Sequence, residues 1–143
     1  MRGFSLLEVL VATTIAIVGV AALAQLVTLA SHASLQARQT TIAAALAQEK
    51  VEELLPDVTV GQEPSPPDTL DRNVAGFCDF VDAAGRLLGA GPATPAGSVY
   101  LRRWSVDPLP DSINHTSILQ VLVADLRGRT LVRFVAAKAG RRP

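Results

Sequence analysis

From Val9 to Ala37 the chain carries no Asp, Glu, Lys, Arg or proline. This run of 29 residues is longer than the ~20 that an α-helix needs to cross a bilayer. In hydrocarbon the backbone must satisfy its own polar groups, and a helix does so. Only Gly19 interrupts the run, and His32 is its one ionisable group. Its apolar side chains favour no single face, which means lipid or neighbours on every side.

After Ala37 the pattern changes without a break. In "RQTTIAAALAQEKVEELLP", Ala43, Ala47, Val51 and Leu54 fall on one stripe, flanked by Ile42 and Leu46. Arg38, Gln48, Glu49, Glu52 and Glu53 project elsewhere, which is the spacing of an amphipathic helix. No glycine or proline separates the two parts. The sequence therefore predicts one helix over about 4–55, stopped by Pro56, with its first half, 4–37, in the membrane. The part over 38–55 lies outside and packs its stripe on something.

Glu8 stands at the entrance to the apolar run. A carboxylate at the centre of a spanning helix costs ~2.5–3.5 kcal/mol on insertion scales, so it calls for a partner. A cut between Gly3 and Phe4 would supply one, because the new α-amine is a cation at neutral pH. Glu8 lies four residues along, about 6 Å up the axis. It could answer its own amine or that of a neighbouring helix, fixing the stagger between them. Two other readings fit the apolar run. "VAALAQ" offers an A-x-A-like signal site after Ala24, which would release a soluble domain. An uncleaved single-pass anchor would make an envelope scaffold.

"GFSLLEVLVA" resembles the N-terminus of type IV pilins and pseudopilins. The family pattern is a short basic leader ending in glycine, then phenylalanine, a small polar residue, aliphatics and glutamate. Gly3, Phe4, Ser5, Leu6, Leu7 and Glu8 fit it position by position. The resemblance implies that 1–3 is a leader, that a prepilin peptidase cuts after Gly3, and that Phe4 becomes N-methylated. Glu8 would then meet a neighbouring Phe4 amine and act as the assembly and register residue. "LAQEKVEEL" is similar to the helix of minor subunits, the I-type pseudopilin of type II secretion and the V-type minor pilin. Gln25 stands where many major pilins have proline, and paired C-terminal cysteines are absent. Both departures favour a minor subunit or pseudopilin.

The implied partners are the peptidase/methyltransferase, other pilin or pseudopilin subunits, an inner-membrane assembly platform, and lipid before assembly. The implied location is the bacterial inner membrane, then a pilus or pseudopilus. Arg2 and the initiator amine bias the N-terminus to the cytoplasm.

The rest of the chain reads as a linker over 56–75, a small antiparallel β domain over 76–138 and a basic tail over 139–143. The linker holds Pro56, Pro64, Pro66 and Pro67. A strand over about 76–82 turns at Ala84-Gly85 and returns through Leu87-Leu88. "SVYLRRWSVDPLP" places Tyr100, Arg102, Trp104 and Val106 on one face, with Arg102 snorkelling or at an edge. Ile118 to Ala124 and Leu131 to Ala136 form a hairpin around Arg127-Gly128-Arg129. The fold class is α+β, a sheet laid on the outer half of the helix, and the resemblance implies the pilin fold.

Nothing in the pattern points to catalysis, a metal or a cofactor. His32, His115 and Cys78 lack ligand spacing. Asp79 and Asp82 are three residues apart on a strand and face opposite sides. Net charge is zero, so no global field draws the chain to nucleic acid, which is not an expected partner. A structural subunit rather than an enzyme is expected.

Overall fold

The computed structural model describes residues 5–56, 63–110 and 116–139. The chain divides into two compact units, Met1–Arg38 and Gln39–Pro143. Helix α1 runs through Leu6–Leu54 without a break. It stops one residue short of the expected Leu55, because the ring of Pro56 disfavours the helical conformation for the residue before it.

In the first unit every described residue is exposed, including Leu6, Leu10, Ile15, Leu23 and Leu29. The helix is long and apolar enough to cross a membrane. Its hydroxyl groups are folded back onto the backbone. Thr13, Thr14, Thr28 and Ser31 each donate to the carbonyl four residues earlier. That bond removes the cost of an unpaired donor in an apolar setting.

The second unit combines the end of α1 with five antiparallel strands. They are β1 (Cys78–Val81), β2 (Leu87–Ala90), β3 (Tyr100–Pro108), β4 (Ser117–Asp125) and β5 (Thr130–Lys138), in the order β2-β1-β3-β4-β5. Ala43, Leu46, Ala47, Val51 and Leu54 share one buried cluster with Val81, Tyr100, Trp104, Val106, Leu119, Val121 and Val123. Side chains alternate across a strand, so one parity of each strand faces the helix. Ala43 and Ala47 are wholly buried, and their small side chains let helix and sheet approach closely. The expected α+β layout, a sheet on the outer part of the helix, is what the structure has.

The other parity builds a second, smaller cluster of Cys78, Phe80 and Leu101. Residues 63–75 contain no helix or strand, yet they are tied to β3. The Ser65 amide donates to the Val106 carbonyl at 3.1 Å, and the Val106 amide donates to the Ser65 hydroxyl at 2.6 Å. The Arg103 guanidinium reaches the Asn73 side-chain oxygen at 2.8 Å and the Leu70 carbonyl at 3.1 Å.

Two hairpins turn in the same way, on sequences with the same pattern: "DAAGR" and "DLRGR". Asp82 accepts from the amides of Ala84 and Arg86, and Asp125 from those of Arg127 and Arg129. Gly85 and Gly128 take φ of +84° and +83°, the left-handed conformation that glycine adopts without a Cβ penalty. Each turn closes a three-residue loop of the kind that ends in a glycine bulge.

Candidate functional site

The sequence points to the N-terminal end of α1, and the stripe on its other end. Gly3 and Phe4, the expected cleavage and methylation positions, lie outside the described residues. Ser5 is the residue before the helix, and its carbonyl accepts from the Glu8 amide at 3.0 Å and the Val9 amide at 3.3 Å. Glu8 is the acidic residue of the first turn. A carboxylate there meets the positive end of the helix dipole, which favours it. Ser5 and Glu8 also have the S-x-x-E spacing of a capping box.

The Glu8 side chain has no hydrogen-bond or ion-pair partner among the described residues. It shares one shallow helix surface with Leu7, Val11, Ala12 and Ile15. A carboxylate is thus presented beside an apolar surface in a segment whose described residues are all exposed.

At the other end of α1 the expected stripe is in place. Ala43, Ala47, Val51 and Leu54 are all buried against the sheet. The same stripe carries a residue that sequence reading missed. Lys50 is 6% exposed, and its Nζ lies 4.1 Å from the centre of the Trp104 ring. It sits 2.9 Å from Glu53 Oε1 and 3.4 Å from Asp79 Oδ2. Asp79 is opposite Arg102 in the β1–β3 register, and the guanidinium holds both carboxylate oxygens, at 2.7 and 2.9 Å. Arg102 is 3% exposed, so it neither snorkels nor sits at an edge as its amphipathic stem suggested. An interior carboxylate directly across the strand pair takes its charge instead. Its Nη1 also donates to the Leu46 carbonyl at 3.4 Å and lies 3.8 Å from Glu49.

This cluster therefore places two buried cations around one buried anion, with Glu49 and Glu53 supplying the balance from the solvent side. The signal was present in the sequence: Lys50 is seven residues after Ala43, which puts it on the buried stripe.

The other polar residues weighed for chemistry have structural duties. Asp82 is spent on its turn, where backbone amides and the guanidinium of Arg86 hold its carboxyl below the usual range. The Cys78 Sγ lies 3.2 Å from the Val74 carbonyl and 3.1 Å from the Gly91 carbonyl. Burial pushes its thiol up, despite those contacts and nearby Arg103, so little thiolate forms near neutral pH. No cluster of three or more His, Cys, Asp or Glu fit to hold a metal occurs among the described residues. His32 is exposed on α1, and His115 lies outside the described residues.

No family model, curated protein or solved structure matches the chain.

Proposed function

We propose that the chain is a minor pilin or pseudopilin, a structural subunit held in a bacterial inner membrane by α1 and then drawn into a filament. The observation that carries this reading is Glu8, which has no side-chain partner among the described residues and stands in the first turn of a helix whose described residues up to Arg38 are all exposed. The sequence "GFSLLE" stands at that turn. In an isolated anchor the carboxylate can still cap its own helix, but no neighbouring helix gives it a counter-charge. A bundle of such helices does, because each carboxylate can meet the terminal amine of a neighbour once a peptidase cuts after Gly3. N-methylation of Phe4 would leave that cation in place. In a low-dielectric bundle the attraction is stronger than in water and sets the axial stagger. The amphipathic end of α1 with its sheet is then the part displayed outside the membrane.

Mass spectrometry of the native N-terminus tests this reading. A chain beginning at a methylated Phe4 supports it. One beginning at Gln25 means a secreted domain behind an ordinary signal, and one retaining Met1 means an uncleaved scaffold.

A further inference from the structure

The sheet has two edges, and they are unlike. Edge strand β2 has four residues, and Pro95 packs against its Gly89, the proline Cγ 3.0 Å from where a Cβ on that glycine would stand. Edge strand β5 has nine residues and no proline. An antiparallel ladder uses the N–H and C=O of every second residue on each side of a strand. Beyond its ladder with β4, no backbone hydrogen bond reaches Thr130–Ala137 among the described residues. The edge is also apolar: Val135 is 62% and Phe134 37% exposed. A long, open, apolar edge is a template for a further strand.

Charge selects the occupant. From Leu126 to Pro143 there are six Arg and Lys and no Asp or Glu. Arg129 is answered by Asp125 at 3.2 Å, whereas Arg133 is exposed and, among the described residues, meets only the neutral Gln120 side chain. A second copy pairing β5 on β5 would bring two such basic segments together, which is destabilising. We propose that β5 is a docking edge for an extended acidic segment of another protein, added as a sixth strand. Arg133 and Val135 lie on one face of β5, so the segment carries a carboxylate and an apolar side chain at alternate positions. This goes beyond the subunit reading and does not depend on how the N-terminus is processed.

Amide hydrogen exchange on the full chain in detergent micelles tests it, using a synthetic peptide with glutamate and valine two residues apart on one face, in a repeated Glu-Thr-Val-Thr pattern. The expected result is exchange slowed about tenfold or more at alternate amides of Thr130–Ala137, weakening as salt is raised. A lysine–valine peptide gives none. Arg133→Glu reverses the preference between the two peptides, while Trp104 fluorescence reports that the sheet remains folded. Equal protection by both peptides, protection by neither, or protection confined to β2 overturns the proposal. So does protection without peptide that rises with protein concentration, which would make the occupant a second copy.

Discussion

At the scale of single residues, the buried charges between α1 and the sheet decide most. Asp79 is the one fully buried anion beside Lys50 and Arg102. Desolvating such groups is costly, and a buried pair is weak evidence of stability, yet removing one partner is strongly destabilising. Asp79→Ala is expected to lower the unfolding free energy by about 3–5 kcal/mol. Trp104, the chain's only tryptophan, lies under Lys50 and gives the fluorescence signal for a urea titration. Replacing Lys50, Asp79 and Arg102 together by Met, Leu and Met is expected to recover most of that loss, because no unpaired charge remains. The turn aspartates behave differently. For Asp125, partial burial raises the pKa, but the Arg129 and Arg127 amides and the Arg129 guanidinium outweigh it, so the carboxyl is net lowered. A carboxylate held low in the fold stabilises above its unfolded pKa, about 4, and that stabilisation is lost as pH falls through the lower folded value. Asp82→Asn and Asp125→Asn are therefore expected to lower the urea midpoint at pH 7 and to leave it nearly unchanged once the wild-type carboxyls are protonated.

At the scale of elements, the reach of α1 was legible from two facts: the missing charges between Val9 and Ala37, and Pro56. The stripe was legible from the spacing of Ala43, Ala47, Val51 and Leu54, which all became buried. The strands followed from alternation, which puts Leu119, Val121 and Val123 on one face; the structure packs that face on the helix. The ionic cluster was not read, because its members come from three elements. A lysine on a buried stripe and an aspartate in a short strand look like exceptions until the register sets Asp79 opposite Arg102. The ties of residues 63–75 to β3 were hidden for a related reason: a proline-rich segment shows no period, and its bonds depend on where Arg103 points. The close approach of helix to sheet has its own test. Ala47 is wholly buried, so Ala47→Leu forces three extra heavy atoms into filled space. A loss of about 1–3 kcal/mol is expected from overpacking, read as a lower urea midpoint. Ala45→Leu, at an exposed position of the same helix, should change little.

At the scale of the whole molecule, the two units divide the work that the subunit reading requires. The unit Gln39–Pro143 has its own core, whereas the described residues of Met1–Arg38 bury nothing. A substitution at Glu8 therefore separates folding from assembly. If Glu8 serves only to cap its helix, Glu8→Gln keeps a capping side chain at that position and should leave assembly intact. If it meets a neighbour's terminal cation, Glu8→Gln removes the charge that sets the stagger and should impair assembly as Glu8→Ala does. We expect both variants to enter the membrane and to retain the urea midpoint of the second unit. We expect their recovery in sheared filaments to fall about tenfold or more, as loss of a charge pair in a low-dielectric setting implies. Wild-type recovery of Glu8→Gln beside poor recovery of Glu8→Ala would reduce the residue to a cap. Wild-type recovery of both would remove the electrostatic basis for the filament reading, whatever the N-terminus proves to be.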